Sequence, residues 1–390
     1  MNKVLKFQIG IVTLISLLTL SCQKNRSHNR FSDSVETVML QGNNLYTSSD
    51  FAVRWFVPSL GIIDNSEIHM RSISNENLID VYQLTEDSLV FIHSFLRRGQ
   101  GPHEVNIFGA FHDRKNETLT FFENSGSLTK GYQIDLTVEG GVQNREAWTH
   151  IDFTHLREYT FRNSFAFVSD SLLLAIGGRF NSPNILSLIH LYGAGVVTPL
   201  DFWPNDGFGG SYFIKQAVYM DNARIFKNFK QDKYLYVSAL GKLMVIFQIE
   251  NNKMINKNTV VEILPQYGVM PDGLNFSIAA NERNRGFRVF TTDRYIYAVP
   301  LEFSNEELRS RRSRSDGFDL EFNDNMYVFN WEGTLLGQFV MDTPFVSFVV
   351  SEDDGTIFTH TMDLETGDCI VRKYSLHSTP TQIFSYGSVN

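Results

Sequence analysis

Cysteine is almost missing from this chain of 390 residues: Cys22 and Cys369 are the only two. At most one disulfide can form, so the fold must be held by its core. Proline is scarce, at 10 residues, and no Pro- or Gly-rich stretch divides residues 50 to 390, which argues against a linker and a second domain. Basic residues are outnumbered, 34 against 43, leaving a formal charge of −9. An acidic body argues against nucleic acid as a partner, because that binding depends on phosphate neutralisation by Lys and Arg. Helical periodicity is rare. HExxH, GxSxG and clustered Cys/His patterns are missing, and no cofactor is expected.

Aromatic residues are what the chain has in abundance: 33 Phe, 15 Tyr and 4 Trp. With many Val and Ile they favour pleated, half-buried surfaces. From about residue 50 onward, short apolar runs end in Asn, Asp, Gly or Ser. Leu78–Leu84, Ser88–Phe95, Thr118–Glu123, Leu128–Asp135, Leu172–Gly177, Tyr234–Ser238, Leu243–Glu250, Tyr295–Pro300, Asn325–Trp331 and Thr356–Met362 are expected as strands. Hairpin chemistry lies between them, at Asp113-Arg-Lys-Asn116, Glu332-Gly333, Asp353-Asp354-Gly355 and Thr366-Gly367-Asp368. Residues 325–376 form the clearest repeat unit, and the hairpin at 78–95 is an earlier copy. The spacing of about 45 to 60 residues is that of four-stranded propeller blades. The predicted fold is therefore all-β: a β-propeller of six, or at most seven, four-stranded antiparallel blades over 33–390. A sandwich pair is the alternative. Ser34–Gln41, or the strand after Leu60, is expected to close the ring with Gln382–Tyr386.

The first residues carry an address. Lys3 and Lys6 precede an apolar run from about Phe7 to Leu20, too short to span a membrane and followed by Ser21-Cys22, as in a secretory signal over residues 1–21. Leu18-Thr-Leu-Ser-Cys22 resembles the lipobox of bacterial lipoproteins, which implies lipidation of Cys22 (diacyl, then N-acyl, such as palmitate) and leaves no second thiol with which Cys369 could form an intramolecular disulfide. Cleavage removes two lysines and takes the formal charge from −9 to −11. Residues 22–32 are polar and read as a tether, with a reach of roughly 15–20 Å. No acidic residue follows Cys22 at once, so the expected address is the outer membrane, facing the periplasm or the surface.

The order of motifs resembles the TolB-like six-bladed β-propeller lipoproteins of Gram-negative bacteria. It runs lipobox, tether, Gly61-Ile-Ile-Asp64, Ile79-Asp-Val-Tyr82, Gly99-Gln-Gly-Pro-His-Glu104, Val328-Phe-Asn-Trp-Glu-Gly333 and Ile357-Phe-Thr-His360. Asn330 stands where that family usually has Asp. The resemblance implies architecture and address more than activity, since the family is largely uncharacterised.

Candidate binding residues fall in three places. In Arg97-Arg-Gly-Gln-Gly-Pro-His-Glu104 the glycines and proline suit a turn between blades, no Lys-Ser/Thr or helix follows as a phosphate loop needs, and Arg97, Arg98 and Glu104 keep a claim on a ligand-facing rim. Trp203-Pro-Asn-Asp-Gly-Phe-Gly-Gly210 is an aromatic loop on which a sugar ring could stack. An insertion at about 302–324 opens with a capping-box pattern at Ser304-x-x-Glu307 and continues with Arg309, Arg311, Arg312 and Arg314, a basic run suited to an anionic protein, lipid phosphate or glycan. His150, Asp152 and His155 are spaced poorly for a metal, and none is predicted. The expected function is a non-enzymatic envelope lipoprotein binding a protein or small ligand. The alternatives are a metal-assisted hydrolase or lyase with dispersed ligands in the channel, and a structural partner in an envelope assembly.

Overall fold

A computed structural model describes residues 35–47, 55–56, 62–63, 66–72, 76–106, 108–124, 128–156, 158–191, 196–307, 322–362 and 369–385. Cys22 and the expected signal and tether lie outside them, as do Arg309, Arg311, Arg312, Arg314 and the turn at 366–368. From Thr37 onward the chain forms one compact unit.

Most of its regular structure is strand. After β1 (Thr37–Leu40) and β2 (Asn43–Thr47), the short β3 (Trp55–Phe56) and β4 (Ile62–Ile63) both pair with β5 (Glu67–Arg71), which continues into β6 (Asn77–Leu84) and β7 (Ser88–Arg97). Three antiparallel sheets follow, each taken from consecutive strands. The first is β8 (Phe108–Asp113), β9 (Thr118–Asn124), β10 (Leu128–Asp135) and β11 (Thr149–Asp152). The second is β12 (Tyr159–Ser169), β13 (Leu172–Arg179), β14 (Leu186–His190) and β15 (Val197–Pro199). Helix α1 (Tyr212–Met220) then leads to β16 (Arg224–Asn228), β17 (Lys233–Val237), β18 (Lys242–Glu250) and β19 (Lys253–Ile263). A hairpin of β20 (Tyr267–Val269) and β21 (Phe276–Ile278) precedes the sheet of β22 (Asn284–Thr291), β23 (Tyr295–Glu302), β24 (Asn323–Asn330) and β25 (Leu335–Phe345). The last strands are β26 (Ser347–Val350), β27 (Thr356–Met362) and β28 (Cys369–Ser375), before helix α2 (Pro380–Ser385).

Middle strands are buried on both faces, which explains their unbroken apolar sequence. Leu173 to Gly178 of β13 and Tyr234 to Val237 of β17 are all buried. Three apolar clusters fill the spaces between sheets. One joins β9, β12–β14 and β16–β18 through residues such as Phe122, Phe165 and Tyr234; a second joins β5 and β6 to β23–β28; a third joins β6 and β7 to β9 and β10. In the third, Phe95 meets Phe121 edge-on at 5.7 Å.

The opening strand of each sheet packs against that of the next: β8 on β12, β12 on β16, β16 on β22, β22 on β26 and β26 on β3. Neighbouring opening strands run in the same sense. Ile225 N donates to Ser164 Oγ at 2.7 Å, and three residues further along β12 the Lys227 ammonium donates to Phe167 O at 2.7 Å.

Two expectations need correction. The 325–376 unit is out of phase with the sheets: β24 and β25 end one sheet, and β26–β28 begin another. The ends also join differently. Residues 382–385 lie in helix α2, because Thr379-Pro-Thr-Gln382 is a capping box: the Gln382 side chain accepts from Thr379 N at 3.1 Å, and Ile383 N donates to Thr379 O at 2.9 Å. The closing strand is β2 instead. Asn43–Leu45 pairs antiparallel with Val371–Lys373 of β28, while Tyr46 and Thr47 pair parallel with β7. Strand β1 runs parallel to β25, opposite Gln338–Met341.

Candidate functional site

Because each sheet runs strand by strand, its turns alternate between two ends. The opening strands share one direction, so the connections 98–107, 200–223, 264–283 and 303–322 emerge at the same end as the starts of β8, β12, β16 and β22. The opposite end carries short turns such as 114–117, 170–171, 229–232 and 292–294, with 136–148 as the longest. Every binding candidate expected from the sequence that is described lies at the long-connection end.

The Gly99–Glu104 segment is tied into the sheets. Arg98 bridges to Val105, Gly99 N donates to Val105 O, and the Glu104 carboxylate accepts from Gly101 N at 3.0 Å. Gly99 has φ +155°, and a Cβ there would collide with that carboxylate. His103 N donates to the Tyr132 hydroxyl, and its ring lies against Tyr132 and Trp148. Arg97 reaches Glu104 at 3.5 Å from a largely exposed position. The geometry is that of a connector whose polar groups serve its own turn.

Trp203 is engaged rather than displayed. The Lys215 ammonium lies 4.9 Å from its ring centre, and Tyr212 meets it edge-on. Lys215 pairs with Asp206 at 2.7 Å, and Asp206 also accepts from Tyr219 and Tyr267. Burial opposes ionisation of Asp206, but the bonds from Lys215, Tyr267, Phe208 N and Tyr219 outweigh it and lower the pKa. This knot fixes α1, whose start Ser211 caps by accepting from Ile214 N. At 303–322, the capping box forms as its pattern predicts: Ser304 N donates to the Glu307 carboxylate at 2.6 Å and Glu307 N to Ser304 Oγ at 3.1 Å.

His150, Asp152 and His155 do not converge. His150 faces Tyr132 across β10 and β11, Asp152 accepts from Thr154, and His155 is exposed in a 3₁₀ turn. Among the described residues no three His, Cys, Asp or Glu side chains gather as metal ligands.

Sequence reasoning missed the polar groups on the opening strands. At the short-turn end, the Arg114 guanidinium reaches Thr291 O at 3.3 Å and Glu352 at 3.4 Å, linking the turn after β8 to β22 and to the turn after β26. Beside it on β8, burial holds the His112 imidazole down at about 3, with Arg114 and His69 acting the same way. At the long-connection end, β12 and β16 carry Arg162 and Arg224. Neither guanidinium has a hydrogen bond or ion pair to a described residue, and Arg162 Nε is shielded from solvent. Burial lowers the Arg224 pKa, with no acidic group acting on it. The signal available in sequence was an arginine interrupting an aromatic strand, in Phe161-Arg-Asn and Arg224-Ile-Phe.

No family model matches the sequence, and no curated protein matches it. Several solved structures are similar to it. A member of the DUF4221 family from Bacteroides vulgatus is 9% identical, covering 88% of this chain and 94% of its own, with a TM-score of 0.47. An exported protein from Bacteroides fragilis is 11% identical, covering 90% and 98%, with a TM-score of 0.47. The β-propeller domain of Cps50 (Swd1) from Myceliophthora thermophila is 12% identical, covering 86% and 99%, with a TM-score of 0.40.

Proposed function

We propose that the chain is a TolB-like six-bladed β-propeller lipoprotein, anchored through Cys22 at the outer membrane, and that it works as a non-enzymatic binding module of the cell envelope. Six blades follow if the continuous sheet made by β26–β28, β2 and β3–β7 is divided at the parallel β2–β7 step, with β2 completing the blade of β26–β28. Face-to-face stacking of sheets that are buried on both faces supports a closed ring.

The observation that carries the binding role is the asymmetry of the two ends. The three longest connections, 200–223, 264–283 and 303–322, sit at one end, whereas a fold built only for stability would close both with short turns. Two of them display apolar side chains: Tyr212 on α1, and Val269, Met270 and Leu274 on the β20–β21 hairpin, are exposed. A third contains Arg309, Arg311, Arg312 and Arg314, suited to an anionic envelope protein or glycan. Capture from solubilised membranes tests this. A partner recovered reproducibly by the parent protein is expected to be lost when Arg311→Glu and Arg312→Glu are combined, and unchanged recovery refutes a role for the basic run. Cys22→Ala should release the protein from the membrane fraction, and retention would refute the anchor.

A further inference from the structure

Half of the chain's 10 histidines gather around one contact between sheets. The third apolar cluster joins the sheet of β3–β7 to that of β8–β11. His69 and His93 both lie against its Phe95, at 5.8 and 6.0 Å between ring centres, and His103 and His150 lie against its Tyr132. His112 of β8 pairs with Leu119, another member.

Strand register brings three of them to one place. His69 pairs with Val81 and Val81 with His93, so both imidazoles share the face of the first sheet that turns toward β8–β11. His112 lies two residues beyond Ala110 and so shares the face of β8 that looks back at them. His69 is only 2% exposed, and neither of its ring nitrogens has a hydrogen bond; the Glu67 carboxylate stands 3.8 Å away. An imidazole carries at least one N–H donor, and leaving it buried and unbonded costs free energy as long as the contact stays closed.

The charges around the three imidazoles give them little support. The first sheet turns Glu67 toward them, with Arg71 and Arg97 nearer the long-connection end. The second turns Arg114, Glu123 and Lys130, with His150 and Asp152 on β11. Arg97 pairs with Glu104, Lys130 with Glu123, and Asp152 with Thr154 of its own turn. Burial lowers the His93 pKa, Glu67 opposes that and His69 adds to it. For His112, burial, Arg114 and His69 all act downward.

The first sheet also stands outside the polar ties at the short-turn end. There Lys227 bonds Phe167 O, Phe229 N bonds Asp293, Arg294 bonds Asp354 and Arg114 pairs with Glu352, which links the sheets that open with β12, β16, β22, β26 and β8. Among the described residues no such tie reaches β3, β4 or β5.

We propose that the contact between β3–β7 and β8–β11 is an acid-sensitive seam: in mild acid His93 and His112 take up protons, His69 gains water, and the first sheet parts from the second while the others stay joined. β2, paired with both β28 and β7, keeps the parted sheet attached at its outer edge. The seam goes beyond the binding role and depends on neither the anchor nor the basic run. Both closed-state pKa values lie below the ordinary value of about 6.5, so the parted state binds protons first and the seam weakens as pH falls below about 6.5. For His112 alone, with about 3 in the closed state, parting should be about 25-fold more favourable at pH 5 than at pH 7.

Amide hydrogen exchange of the soluble chain from residue 23, read by mass spectrometry at pH 7 and pH 5 and corrected for intrinsic rates, tests the seam. Protection of β5–β7 should fall at least ten-fold more than that of β13–β14 and β17–β18. His112→Gln should shrink this difference at least five-fold, and combining it with His93→Gln should remove it. Three results overturn the proposal: unchanged protection of β5–β7, an equal loss in every sheet, which would mean that acid unfolds the whole ring, or the parent's difference persisting in the double variant. Should that variant fail to fold, the first two comparisons, made on the parent, still decide.

Discussion

His112 offers a measurement in which burial is the main cause of a pH dependence. Its imidazole is held at about 3, chiefly by burial, against about 6.5 in an unfolded chain. The folded pKa is the lower one, so as pH falls the unfolded chain takes up this proton first. Stability is lost from about pH 6.5 down toward about pH 3, where the folded protein is protonated as well. With those two values, moving from pH 7 to pH 5 should remove about 2 kcal/mol through this one group. His112→Gln removes the titration while keeping a polar side chain of similar reach. The assay is urea unfolding of parent and variant at pH 7, 6 and 5, reading the change of stability with pH rather than its level. The variant should lose about 2 kcal/mol less than the parent over that interval. Carboxylates with lowered pKa values, Glu67 and Asp206 among them, act mainly below this window and cancel in the comparison. Equal pH slopes in the two proteins would refute the reasoning.

Gly99→Ala should cost roughly 1–3 kcal/mol, since it puts a Cβ against the Glu104 carboxylate at a φ that side chains rarely adopt; equal urea midpoints for parent and variant would contradict this. Asp354→Asn should cost about 1–3 kcal/mol in urea unfolding, because the buried Asp354 carboxylate accepts from Thr292, Tyr297 and Arg294, tying the turn after β22 to the turn after β26. A neutral outcome would mean that this tie is dispensable. Removing residues 35–47 uncovers the edges of β28 and β7 that β2 pairs. The shortened chain should aggregate on sizing chromatography, and a stable monomer would show that closure does not depend on β2.

How legible the molecule was depended on where each strand sits within its sheet. Middle strands bury both faces, so Leu172–Gly177 and Leu243–Glu250 stand out as apolar runs, and both are strands. Opening strands are mixed, because part of each faces neighbours that are far away in sequence. β12 and β16, the strands that bear Arg162 and Arg224, went unrecognised for that reason. Outer strand β19 was missed as well, since mostly exposed residues such as Lys257 and Asn258 weaken its pattern. Helix α1 escaped notice because its stability comes from the Asp206–Lys215 knot rather than from its own periodicity. The Thr379–Gln382 capping box was legible and overlooked.

For the site, local signals described turns well. Asn330, where the resembling family carries Asp, holds its turn by accepting from Glu332 N and Thr334 N, while Trp331 Nε1 donates to Thr292 O. Local signals overrated Trp203, whose ring is occupied by Lys215 and Tyr212. By itself the sequence determined a β-rich chain with an acidic body and turn chemistry at regular intervals, because those follow from near-neighbour preferences and composition. Only the tertiary structure decided that β2 closes on β28, that Arg114 spans from β8 to β22 and the turn after β26, and that Ser164 of β12 accepts from Ile225 N of β16. Each of these depends on contacts between residues tens to hundreds of positions apart, which no local pattern encodes.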